Sequence, residues 1–134
     1  MSQANIDAAM KFYEVYNEHK LELLDEILTS SYVGHVNAHD ITGAEASKGF
    51  IGAFLAGIPD AKYTVEEVLT VDNKVITRWF VTGTQTGNFF GTEPTNNAIN
   101  AKGITIFEIV DGKINQLWNN WDQFTLVQQL QGKG

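Results

Sequence analysis

The sequence predicts a single soluble α+β domain in which helices pack on a curved antiparallel sheet and enclose one pocket. Three observations carry this reading. Up to Pro59, apolar residues recur at three- and four-residue steps, which is the helical period. From Asp60 onward the alternation switches to every second residue, the period of a strand. Asp72-Asn73 and Asp111-Gly112 punctuate that second half, and Asp-Gly between alternating segments is a strong hairpin signal. Helices followed by a meander of strands is the α+β order.

Taken in order, Ala4 to His19 reads as an amphipathic helix with Ile6, Ala9, Met10, Tyr13 and Tyr16 on its apolar face. A second short helix, Leu21 to Leu28, presents Leu24, Ile27 and Leu28 and stops at Thr29-Ser30-Ser31. Tyr32 to Val36 is then short and extended. Thr42 followed three residues later by Glu45 has the spacing of a capping box. The helix it opens buries Phe50, Ile51, Phe54 and Leu55 and ends at Gly57 and Pro59, since proline cannot continue the hydrogen-bond ladder. Strands follow at Lys62–Thr70, Lys74–Gly87, Ala98–Val110 and Lys113–Asp122. The polar, glycine-containing stretch Gly87 to Asn100 is long enough to form a rim or lid. A last amphipathic turn runs from Phe124 to Leu130.

Composition narrows the function classes. A chain of 134 residues fits one domain, 1–134. A hydrophobic fraction of 43% supplies a real core. The formal charge of −7 disfavours nucleic acid and anionic membrane as partners, because both need a cationic footprint. Without cysteine there is no disulfide, thiol catalysis or thiolate metal site. The polar start lacks a signal-peptide pattern, and no apolar run approaches the ~20 residues of a membrane span. A cytoplasmic protein is expected.

The most informative stretch is Ile114 to Asp122. On a regular strand Trp118, Asn120 and Asp122 share one face, while Leu117, Asn119 and Trp121 share the other. If the first face lines an apolar pocket, desolvation raises the Asp122 pKa and suits its carboxyl to acid–base work. The alternative is that Asp122 caps the helix beginning near Phe124. Arg78, the only arginine, sits among β-branched and aromatic residues. It either orients a substrate carbonyl or carboxylate, or forms an ion pair with Glu66 or Glu108, because an unpaired buried charge is costly. His35 is a pocket-lining hydrogen-bonding group or a structural histidine. The His35/His39 spacing would suit a metal only on a helix, which Gly34 and the Thr42 cap oppose. His39 and His19 are expected on the surface. No phosphate-cradling loop ending in Lys-Ser/Thr is present, nor any nucleophile elbow.

Four features in one order give the chain a family likeness. They are Tyr32-Val33-Gly34-His35 after two helices, and Ile58-Pro59-Asp60 closing the third. Next come Arg78-Trp79 with Gly83-Thr84-Gln85-Thr86-Gly87 and Gly91-Thr92-Glu93-Pro94-Thr95. Last is Asp111-Gly112-Lys113-Ile114 leading to Trp118 and Asp122, then Gln129-Leu130. In this the chain resembles the SnoaL-like polyketide cyclases of the NTF2-like superfamily. The resemblance implies an NTF2-like (cystatin-like) cone and a homodimer joined through the outer face of the sheet. It also implies an aspartate, here Asp122, as general acid/base of an intramolecular aldol ring closure that needs no metal or cofactor. His35 and Trp118 match family positions. Gln85 stands where the family commonly has histidine, and Asn96 where it has glycine, so a second titrating group at Gln85 is lost.

The expectation is therefore a cofactor-independent enzyme acting on a hydrophobic, carbonyl-bearing small molecule. Asp122, His35 and Arg78 would do or support the chemistry. Trp118, Asn120, Tyr13, Tyr32, Gln85 and Phe54 would contact substrate. A non-catalytic small-ligand carrier on the same pocket is the second reading, and a structural dimerisation module is the third. The same fold hosts several chemistries, so fold alone does not choose among them.

Overall fold

The structure, a computed structural model, describes residues 2–132. Its elements run α1 (Ser2–Asn17), a 3-10 turn (Leu21–Leu23), α2 (Leu24–Ile27), β1 (Leu28–Val36), β2 (His39–Thr42), α3 (Gly43–Gly57), β3 (Lys62–Val71), β4 (Lys74–Thr84), β5 (Ala98–Val110), β6 (Lys113–Trp121) and α4 (Gln123–Leu130). The six strands form one curved sheet in the order β2-β1-β6-β5-β4-β3. The sheet is mixed, which corrects the all-antiparallel expectation. β1 pairs β6 in parallel, because β1 belongs to the helical half of the chain and no hairpin dictates its direction.

Other departures are local. The second helix is one turn shorter than its apolar pattern, and Leu28 already begins β1. Thr42 does occupy the position before α3, yet its side chain makes no capping bond. Gly43, at φ +85°, makes the turn into the helix instead, and Glu45 pairs with Lys48 at 3.2 Å.

α1 lies in the concave side of the sheet. Phe12 and Tyr13 meet Phe107 edge-on, with ring centroids 5.6 and 6.0 Å apart. Such aromatic pairs contribute ~0.5–1.5 kcal/mol each beyond their burial. The Tyr13 hydroxyl shares a 2.7 Å hydrogen bond with Thr77, and burial pushes its pKa up to about 12. Tyr13 is thus a core residue, closed off from any ligand.

The register of β6 decides what the cone contains. Val110 and Ile109 sit opposite Lys113 and Ile114, after which Glu108 sits opposite Gln116. Asn115 is therefore an extra residue, a β-bulge. Its amide is well held. Oδ1 accepts from Thr29 at 2.8 Å and Ser31 at 3.1 Å, while Nδ2 donates to Glu108 at 3.0 Å. Beyond the bulge Phe107 faces Leu117, Thr105 faces Asn119, and Gly103 faces Trp121. Directly opposed residues share a face. Since Phe107 and Thr105 are buried inside the cone, Leu117, Asn119 and Trp121 point inward as well. Trp118 and Asn120 point outward.

Replacing Asn115 with Ala removes three side-chain hydrogen bonds at the bulge. Urea unfolding is expected to show a loss of about 1–2 kcal/mol, in line with net values for partly exposed bonds. An unchanged midpoint would show that the bulge does not depend on this amide.

Candidate functional site

A pocket of about 390 Å³ opens at the mouth of the cone. Its walls come from Phe50 and Phe54 of α3, Val36 of β1, Trp121 of β6, Phe89 and Phe90 of the 85–97 loop, and Val127 and Leu130 of α4. The rings interlock: Phe54 meets Phe89 edge-on at 5.4 Å and Trp121 at 6.5 Å, and Phe50 lies 5.4 Å from Phe90. His39, Thr92, Gln123 and Gln131 add polar groups. An aromatic cleft with few polar groups is the usual form of a small-molecule site.

The loop wall and the α4 wall each have their own anchor. The 85–97 loop is organised by Gln85, which is fully buried. Its Nε2 lies 3.0–3.1 Å from the carbonyls of Gly87, Thr92 and Glu93, and its Oε1 accepts from Thr95 at 2.7 Å. The loop packs directly on the end of α3, where a Cβ at Gly57 would stand 2.8 Å from the Phe89 backbone. The wall formed by α4 is held to β5, where Gln129 exchanges two hydrogen bonds with the Asn100 backbone. Asn97 also donates to the carbonyl of Gln129. Asn37, at φ +50°, ties the β1–β2 turn to β6 by accepting from the Trp121 N–H at 3.0 Å.

Several predicted site residues lie elsewhere. Asp122 caps α4: its carboxylate accepts from the Thr125 hydroxyl and from the Thr125 N–H at 3.0 Å. Those bonds, the hydroxyl's first, hold its pKa below the ordinary carboxylate value. The expected desolvated carboxyl with a raised pKa is therefore corrected to an exposed cap that favours the ionised form. Arg78 points outward and pairs with Glu66 at 2.9 Å and Glu67 at 3.1 Å. It meets Asn120 and Asp122 only along a wide, open depression of the outer face.

His35 and Trp118 also lie on the outer face, stacked at 5.6 Å with 19° between their planes. Gln85 is consumed by the loop, and Tyr13 and Tyr32 are buried in the core. Tyr32 lines a separate void of about 20 Å³, and burial raises its pKa. Of the nine candidates, Phe54 alone lines the mouth pocket. The sequence reading expected His39 on the surface, where it is exposed at the pocket's edge, and put Trp121 on the face opposite the candidate residues, while Phe89 and Phe90 were not singled out. The rim loop was recognised, and its two adjacent phenylalanines were the available signal. Among the described residues no group of three or more His, Cys, Asp or Glu side chains could hold a metal ion. No helix among them is long and apolar enough to cross a membrane.

The sequence model of the SnoaL-like polyketide cyclases matches residues 6–130. A candidate polyketide cyclase from Bacillus cereus superposes with TM-score 0.82 at 29% identity, covering 97% of this chain and 81% of that one. IdmH from Streptomyces antibioticus, also described as a candidate polyketide cyclase, gives 0.82 at 26% identity, with 95% and 98% covered. AclR from Streptomyces galilaeus, described as a candidate hydroxylase, gives 0.85 at 20% identity, with 96% and 81% covered, which shows shared fold alone. A sequence comparison with curated proteins gives no match.

The outer face makes a pH prediction. Both ring nitrogens of His35 face acceptors: Nε2 faces the Gln116 Oε1 at 3.0 Å and Nδ1 faces Asp40 at 2.8 Å. Gln116 first, then Asp40, raises its pKa above the ordinary imidazole value. The stability His35 contributes is present in full below that ordinary value and is lost as pH rises through the folded-state value. An NMR titration is expected to place the His35 midpoint above that of an Asp40→Asn variant. Coincident midpoints would refute the pairing.

Proposed function

Because the chain belongs to the SnoaL-like polyketide cyclase family, we propose that it binds a hydrophobic, carbonyl-bearing small molecule in the mouth pocket and promotes its ring closure there. The observation that carries this is the aromatic enclosure of about 390 Å³ itself. Walls of this kind hold a flexible chain folded. Bringing two ends of one molecule together removes entropy that the uncatalysed reaction must otherwise lose, which is worth up to ~7–11 kcal/mol in well-oriented cases.

Among the described lining residues His39 is the side chain that can take up and release a proton, so it is the candidate for proton transfer. It would take a proton from the carbon between two carbonyls. The enolate, delocalised over both oxygens, attacks a second carbonyl of the same chain, and the proton returns to the new alkoxide. Such a substrate stabilises its own carbanion, so the step calls for no cofactor. Asp122 acts one step removed, by starting the helix that supplies Val127 and Leu130.

The carrier reading rests on a specific observation, the engagement of Asp122 by Thr125, which leaves the pocket thin in acid–base groups. Family likeness supports one further assignment, a homodimer through the outer sheet face, where Ile104 is 48% exposed beside Arg78 and Asn120. A cytoplasmic location is proposed on composition instead, from an acidic chain without cysteine.

Asparagine caps helices about as well as aspartate, so Asp122→Asn removes the charge and keeps α4. With a linear poly-β-keto ester as substrate, Asp122→Asn is expected to stay within about twofold of the parent rate, as for a surface change. His39→Gln is expected to lose about 10²–10⁴ in rate, the usual worth of a positioned acid/base. The reverse pattern would sink the His39 assignment. Tight binding without turnover in the parent protein would establish the carrier.

A further inference from the structure

The inward face of β6 holds a polar group that the pocket's outer walls do not use. Asn119 lies between Thr105 of β5 and Val36 of β1, and its side-chain Oδ1 is buried without a hydrogen-bond partner among the described residues. Its main-chain carbonyl is engaged, accepting from the Asn37 N–H at 2.8 Å. The side-chain acceptor therefore stands unpaired beside a small void whose other walls are mostly apolar, with Ser47, Tyr16 and Tyr32 among them. Buried acceptors left unpaired are rare in folded proteins, because desolvation goes uncompensated. A strand position facing a core normally carries an apolar side chain, as Leu117 does two residues earlier.

Asn119 also lies at a junction. It lines the inner void of about 20 Å³, and that void shares two walls, Val36 and Phe50, with the mouth pocket. A space of that size accommodates one water-sized polar group, which needs about 10–15 Å³. We infer that Asn119 is a specificity residue of the pocket: its carboxamide oxygen accepts a hydrogen bond from a hydroxyl at the buried end of the ligand. The ligand class narrows to an apolar ring or chain ending in a phenol or enol hydroxyl, inserted past Val36 and Phe50. This rests on the pocket reading above. Asn119 touches no reacting atom in that scheme and fixes which end of the molecule enters first.

The test uses naphthol and naphthalene, each competing with the dye anilinonaphthalene sulfonate for the full-length protein. Naphthol is expected to bind about 3–10-fold more tightly, the worth of one net hydrogen bond. In Asn119→Leu the preference is expected to fall below about twofold with naphthalene affinity retained. The ligand-free variant should melt no lower than the parent, since an unpaired acceptor has been removed. Asn119→Ala must show the same loss of preference, and it decides the matter if the leucine variant does not fold. A preference that survives both substitutions, or that is missing in the parent, overturns the assignment. So does a folded Asn119→Leu variant that melts lower than the parent, which would reveal a partner satisfying the amide. Failure of both probes to displace the dye would instead refute the mouth pocket as a binding site, a separate result.

Discussion

Asn115, one residue inserted into β6, determines which side chains the cone encloses. Side chains on a strand alternate, so a shift of one position exchanges its two faces. Counting back from the Asp111-Gly112 turn without a bulge sets Trp118, Asn120 and Asp122 opposite Thr105, Gly103 and Ala101, whose positions face the interior. With the bulge, Asn119 and Trp121 lie opposite Thr105 and Gly103, and Leu117 lies opposite Phe107. The amide of Asn115 is gripped from both neighbouring strands, by Thr29 and Ser31 of β1 and by Glu108 of β5. A bulge held on two sides fixes the register of β6 against both.

Two consequences reach the mouth of the cone. Trp121 becomes a wall of the pocket, meeting Phe54 edge-on. Asp122 then falls where the chain leaves the sheet, and its carboxylate is committed to Thr125 and the start of α4. A carboxylate with satisfied bonds and a lowered pKa is a poor proton acceptor. It is a good cap, and the helix it starts closes one side of the pocket. The residue that the family likeness marks for chemistry therefore contributes here through architecture.

Much of this fold was legible in the sequence. The change from three-and-four spacing to alternation located the boundary between helices and meander, and β5 has the bounds its pattern suggests, Ala98–Val110. Tight turns at Asp72 and Asp111 supply the left-handed φ values that hairpins require. The site was far less legible. A bulge leaves no periodic signature in one strand, since Asn115 differs little in polarity from Gln116 beside it. Arg78 looked buried by its neighbours, yet alternation put it on the outer face with Glu66 and Glu67. Gln85 read as a substituted catalytic position, whereas its amide is spent on four backbone groups of its own loop.

The orientation of β6 is the point on which the pocket, the role of Asp122 and the part played by Asn119 all stand. Its two tryptophans report on it directly, because Trp118 lies outside against His35 and Trp121 lies inside against Phe54. The decisive measurement is a proton–nitrogen NMR titration of the labelled protein with naphthol, following the indole N–H signals. A shift of the Trp121 signal with Trp118 unmoved is the expected result. Movement of Trp118 while Trp121 stays silent would contradict it, and would place the ligand on the outer face beside His35.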